Sequence, residues 1–256
     1  MVAMPRGWPC DEMVSLARRK SDAAYGRLSR WLKLDPDADG IEWLPGQWGS
    51  RVPIERLTSR LGGPVPSGQC RIYRRDLFRL AADVVASGQD ESAAVALLLG
   101  VVVWGAGHSD RRGPWKAAQA LGMGESDEPG KQAIARIQHA VDVTRKEGGW
   151  AGYAALSARG PAKLRRMGES YFTKLIYAAG YGGDAVPQPW PLILDNNVRK
   201  ALVRCGGILD DEHWTLHYSS AAYRQFLCIA GTWAQIWHTP ADHVEYALFR
   251  LGRDGG

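Results

Sequence analysis

Apolar side chains recur along this chain at helical spacing and almost nowhere at the spacing of strands. Between residues 11 and 34, Met13, Leu16, Ala17, Tyr25, Leu28, Trp31 and Leu32 fall on one face, with Arg18, Arg19 and Lys20 opposite. That is the pattern of an amphipathic helix. Residues 74–87 form a second such segment. Residues 129–147 form a longer one, with Ala133, Ile134, Ile137, Val141 and Val143 inward. Residues 91–104 are apolar nearly all round, which predicts a central buried helix. Their apolar run is too short for a bilayer, which takes about 20 residues. Further helices are predicted over 54–61, 114–121, 150–157, 161–167, 170–179, 196–204, 219–237 and 240–251. Pro114 suits a first helical position and Thr239 an N-cap. No strand pattern, internal repeat or low-complexity tract stands out, so the predicted fold class is all-α.

The punctuation is as informative as the helices. Residues 35–69 are rich in Gly, Pro and Trp, with Pro45-Gly46, Gly62-Gly63-Pro64 and Pro66 as turn signals. Residues 105–114 make a charged loop with His108, Asp110, Arg111 and Arg112. The predicted organisation is one domain over 1–256. Residues 1–70 form a helix and loop-rich N-terminal extension, and 71–256 the helical core.

Composition narrows the classes. The chain has 256 residues, 45% of them hydrophobic and 23% charged, ordinary for a soluble globular protein. A net charge of +5 suits a polyanionic partner without identifying one. Cys10, Cys70, Cys205 and Cys228 form no C-x2-C pair, which argues against structural zinc or an iron–sulfur cluster and for reduced thiols in a cytoplasmic protein. Residues 1–10 have no apolar stretch of signal-peptide type. The acidic run Asp210-Asp211-Glu212 beside His213 and His217 has no third ligand at a known spacing. No metal site is expected, and no Walker or Rossmann glycine loop is present.

Two segments carry candidate chemistry. In 161–179, a tight turn at Gly168 is followed by a helix that opens with Glu169 and Ser170 and contains Lys174. A glycine turn at a helix start presents free backbone N–H groups and the positive end of the dipole, which together bind a phosphate. Lys163, Arg165 and Arg166 add charge beside it. An ordinary helix-turn-helix packing unit has the same outline. In 190–202, the apolar run Leu192-Ile193-Leu194 ends in Asp195, placed to cap the next helix. Such a carboxylate is held rigidly and kept ionised.

The order of these parts resembles the helix-hairpin-helix DNA glycosylases. Ile193-Leu194-Asp195-Asn196-Asn197-Val198 is similar to the segment that holds the catalytic aspartate in the adenine glycosylase branch. Phe172-Thr173-Lys174-Leu175-Ile176 looks like the archaeal 8-oxoguanine branch, where a lysine of the second hairpin helix is the nucleophile. The whole most resembles a prokaryotic OGG-like family, which includes a phage-defence glycosylase acting on glucosylated hydroxymethylcytosine. The detailed match covers 161–202. The hairpin departs from the pattern in having Gly168 alone, without a second glycine, and in carrying Ser170 where other branches place a lysine or a serine.

The resemblance implies a bilobed helical domain with the hairpin at 161–179 and a cleft between the lobes. The implied partner is double-stranded DNA bearing a modified base, bound by a monomer with no membrane involvement. No cofactor is implied beyond a monovalent cation at the hairpin. Asp195 would stabilise an oxocarbenium-like sugar, and Lys174 would be an amine nucleophile once partly deprotonated. Ser170 and Lys174 share a helix face at i and i+4. Monofunctional and bifunctional chemistry therefore both remain open at this stage. Gly168, Glu169, Ser170, Lys163, Arg166, Arg111 and Arg112 are the expected DNA contacts. Trp104, Trp115, Tyr181 and Trp190, in or beside loops, are the expected base-pocket aromatics. The loop 180–191, with Gly182-Gly183 and three prolines, would shape or cover that pocket. The favoured substrate is a hypermodified phage cytosine. The alternatives are 8-oxoguanine repair and a non-catalytic DNA-binding module.

Overall fold

The structure, a computed structural model, describes residues 11–63, 68–88, 90–106, 112–123, 129–181, 186–205 and 219–254. Arg111, His108, Asp110, Gly182-Gly183, Cys10 and the acidic run with His213 and His217 lie outside these. Among the described residues the fold is all-α apart from one small two-stranded sheet.

Helix α4 (Glu91–Ala106) is the hub, with every residue from Ala93 to Val103 buried. An apolar surface all round can be covered only by neighbours on every side. Helices α2 (Glu55–Arg60), α3 (Arg74–Ser87), α5 (Gly113–Ala120), α6 (Lys131–Glu147) and α8 (Glu169–Gly180) supply them. Gly100 gives room for Leu77 and Leu80 of α3. Helix α7 (Gly149–Leu156) packs against α6 and α8.

The other helices form a second group. Helix α1 (Asp11–Leu32) packs against α10 (Ser220–Ile236) and α11 (Ala241–Asp254), so the chain's first helix is covered by its last two. The indole of Trp233 donates to the Ala17 carbonyl at 3.0 Å, and that of Trp237 to the Ser21 hydroxyl at 2.9 Å. Burying indole rings with their N–H satisfied removes large apolar area without stranding a donor. Helix α9 (Asn196–Arg204) lies against α11.

That last contact is unusually close. A Cβ on Gly252 would sit 1.8 Å from the carbonyl oxygen of Asn197, a backbone atom that cannot rotate away. Gly252→Ala must therefore push α9 off α11. We expect a loss of stability at the upper end of the roughly 1–3 kcal/mol typical of overpacking, read as a lowered urea midpoint. An unchanged midpoint would mean that α9 slides freely.

Most predicted helices appear within one to three residues of their expected ends. Two elements differ. Residues 161–167 are a series of turns rather than a helix: Arg166 takes a left-handed φ of 59°, and only isolated bonds such as Lys163 N–H to the Gly160 carbonyl form. The helix before the hairpin is therefore α7. The sheet pairs β1 (Ile41–Trp43) with β2 (Cys70–Ile72), antiparallel, Ile41 opposite Ile72. Three residues are too few to show an alternating pattern. The expectation of reduced thiols holds for Cys70 and Cys205 and fails for Cys228, which is disulfide-bonded. No helix among the described residues is long and apolar enough to cross a membrane.

Candidate active site

Asp195 and Lys174 come from segments that only the fold unites. The buried run before Asp195 lacks a secondary-structure ladder, so side chains must satisfy its backbone. Tyr223 of α10 does so for Leu192, its hydroxyl accepting from the N–H at 3.1 Å and donating to the carbonyl at 2.8 Å. Thr173 of α8 accepts from the Leu194 N–H at 3.2 Å while donating to the Glu169 carbonyl at 2.6 Å. Thr173 and Leu194 are the chain neighbours of Lys174 and Asp195, so this one bond fixes the pair.

The two oxygens of Asp195 have separate roles. Oδ1 accepts from the N–H groups of Asn197 (2.9 Å) and Val198 (3.1 Å), the N-cap read from the sequence. Oδ2 lies 3.7 Å from Lys174 Nζ, at ion-pair distance. Lys174 Nζ also donates to the Ser170 carbonyl at 2.6 Å. Burial lowers the Lys174 pKa below 10.5, and the Arg74 cation acts in the same sense, against the opposing pull of Asp195 and Glu245. A lysine beside a second cation in a dry site is the kind that yields a free amine.

Both residues line one cavity of about 490 Å³. Trp104, Arg74, Glu245, Tyr246, Phe249 and Asn197 form much of its wall. Gly105 keeps the wall thin, since a Cβ there would meet Tyr171 at 3.0 Å and the Lys174 stem at 3.2 Å. A second cavity, of about 590 Å³, is lined by Val84, Val141, His139 and Arg145 and has neither Lys174 nor Asp195.

A protein-family model described as "Putative 8-oxoguanine DNA glycosylase OGG-like protein" matches residues 34–249. The chain belongs to this OGG-like DNA glycosylase family. Comparison with curated proteins and with solved structures gave no match. The matched span contains α2 to α10, the hairpin and both residues of the pair, and DNA is the partner to which the family points.

Of the other expected site residues in this OGG-like protein, the structure brings one to the cavity. Trp104 lines it, with Lys174 Nζ 5.8 Å and the Arg74 guanidinium 5.5 Å from its ring. Trp115 does not line it. That ring is exposed beside the hairpin, with the Arg166 guanidinium 5.6 Å from its centre. Tyr181 packs edge-on against Trp190 and receives the Asp242 N–H at 3.2 Å, while Trp190 lines a separate small cavity with Pro189 and Pro240. These two rings are structural in this conformation.

Around the hairpin, Gly168 is the N-cap of α8, with open space beside it. Lys163 and Arg166 are exposed there, as is Arg112 at the start of α5. Glu169 turns inward, where Tyr153 donates to it at 3.5 Å and burial raises its pKa. Ser170 contributes its carbonyl to Lys174.

Sequence reading missed the cavity's buried ion pair. Arg74, in the first turn of α3, is 3% exposed and lies 3.2 Å from Glu245 of α11, itself 1% exposed. Arg74 also donates to the Tyr177 hydroxyl at 3.1 Å. Burial pushes the Glu245 carboxyl up to about 7, with Arg74 opposing. A faint signal existed: both charges fall on the apolar faces of otherwise amphipathic helices. Among the described residues no group of three or more His, Cys, Asp or Glu is placed to hold a metal ion.

Proposed function

We propose that the cavity receives a modified base swung out of duplex DNA, and that Asp195 and Lys174 break its N-glycosidic bond. The observation that carries this is the 3.7 Å approach of Lys174 Nζ to Asp195 Oδ2 at the wall of one cavity. As the bond from C1′ to the base nitrogen lengthens, its electron pair leaves with the base and C1′ becomes cationic. The Asp195 carboxylate, pinned by two backbone N–H groups, stabilises that charge. The neutral Lys174 amine then adds to C1′ and loses a proton, and opening of the sugar gives a Schiff base. Strand scission by elimination follows, which makes the enzyme bifunctional. The α8 N-terminus at Gly168, with Lys163 and Arg166 beside it, would hold a backbone phosphate.

The substrate we favour is a hypermodified cytosine of phage DNA, such as glucosylated hydroxymethylcytosine, and with it a role in defence. A cavity of about 490 Å³ is the size of a drug-like ligand site and leaves room for a substituent on the base. Oxidised guanine is the second reading, favoured by the family's description.

Borohydride trapping tests the chemistry. Incubated with duplexes carrying each base, the wild type should form a covalent adduct with one of them, and Lys174→Ala should form none. Trapping should rise with pH through a midpoint below 10.5, because Lys174 must lose its proton and burial lowers its pKa. An intact abasic product without adduct would remove the nucleophile role from Lys174. Release of neither base while DNA still binds would sink the reading as a whole.

A further inference from the structure

Buried polar atoms almost always have partners, and those without one call for an explanation. Three buried side-chain atoms without a hydrogen-bond partner among the described residues belong to residues that line this cavity: Glu245 Oε2, Arg74 Nε and Trp104 Nε1. Glu245 Oε2 has only its ion-pair contact to Arg74 Nη2. The three form one cluster, because Arg74 touches Glu245 on one side and lies over the Trp104 ring on the other. With Glu245 ionised, the set is one acceptor and two donors.

We propose that this cluster selects the base, with Glu245 as the specificity-determining residue. Its carboxylate accepts from the exocyclic amino group of a cytosine-type base, and Arg74 and Trp104 donate to the ring's acceptors. The inference rests on the glycosylase reading and deepens it. A cytosine edge presents one donor, the 4-amino group, and two acceptors, N3 and O2, the complement of the unpartnered set. A guanine edge presents the reverse, one acceptor at O6 and two donors at N1 and N2. A uracil-type base sets a 4-carbonyl oxygen against the Glu245 carboxylate. Glutamate accepting from cytosine N4 is a recurring pairing in nucleic-acid recognition. Arg74 has a second duty: it keeps Glu245 in place without filling its hydrogen-bonding capacity.

The test uses bases that differ at position 4 and in the N3 proton that goes with it, so the uracil-type base reverses two of the three groups of the cytosine edge. Glucosylated 5-hydroxymethylcytosine and glucosylated 5-hydroxymethyluracil, with the same sugar linkage, are each placed opposite the same non-pairing abasic analogue to equalise flipping. A duplex with 8-oxoguanine is the third arm. In single-turnover base release, the wild type should favour the amino base over the carbonyl base by at least about tenfold. Glu245→Gln should bring that ratio toward unity, because a carboxamide presents either an acceptor or a donor. Trp104→Phe keeps the ring, loses one donor, and should slow excision of the amino base several-fold.

Equal wild-type rates on the two pyrimidines would overturn the proposal, and so would excision of 8-oxoguanine alone or an unchanged ratio in Glu245→Gln. Should that variant fail to fold, the wild-type ratio and Trp104→Phe decide. Release of no base from any duplex by the wild type defeats the glycosylase reading itself, and the base-selection proposal falls with it.

Discussion

Asp195→Asn should lower the rate of base release about a thousandfold while leaving the fold intact and DNA binding unchanged. The size follows from the role: deleting a charge aimed at the developing cation forfeits a contribution of order 10²–10⁴ in rate. The fold survives because asparagine caps helices about as well as aspartate. Its side-chain oxygen can keep the bonds from Asn197 and Val198. The same substitution removes the group that most opposes deprotonation of Lys174. The variant should therefore still be trapped by borohydride on duplexes containing a preformed abasic site. Glycosylic cleavage would be lost and amine chemistry kept, a separation that neither a damaged fold nor lost DNA affinity can produce. Base release at the wild-type rate would mean that Asp195 only caps α9.

Arg74→Met should destabilise the protein by about 3–5 kcal/mol near neutral pH, the usual consequence of leaving one member of a buried ion pair without the other. Glu245 is 1% exposed, and of the cations left in the cavity wall, Lys174 and Arg253, it is Lys174 that acts on it. The pH dependence has a definite sign. The carboxyl of Glu245 is raised from 4.5 to about 7 in the folded wild type. The stability it contributes is therefore full below about 4.5 and lost as pH rises through about 7. Without Arg74 the folded value climbs further, so the variant should be penalised less at pH 5 than at pH 8. Urea midpoints at the two pH values measure this. Arg74→Met with Glu245→Gln should recover most of the loss, because the stranded charge is gone. A single variant as stable as the wild type at pH 8 would show that the pair contributes nothing to stability.

The helices were legible because burial of an amphipathic face imposes a 3.6-residue period. Residues 74–87 and 196–204 coincide with α3 and α9, and the wholly apolar 91–104 with the hub α4. The hairpin was legible as a turn but not in its detail. The left-handed Arg166 breaks what reads as a helix over 161–167, and no local signal marks a non-glycine residue for that conformation. Trp115, Tyr181 and Trp190 show the limit for aromatic rings. A ring beside a loop reads the same whether it faces a cavity, solvent or another ring, and here each avoids the cavity of Lys174 and Asp195.

By itself, the sequence determined the all-helical class and the N-cap at Asp195, because each depends on neighbours within a few residues, while the candidacy of Lys174 came from the family resemblance. Tertiary structure alone decided that Lys174 and Asp195 lie 3.7 Å apart, through the bond from Leu194 to Thr173. It alone decided that Arg74 and Glu245, 171 positions apart by number, meet behind them in the cavity wall. A charge on an apolar helix face is tolerated only where a distant partner neutralises it. Which partner that is depends on how α3 and α11 are brought together, and no local pattern encodes that.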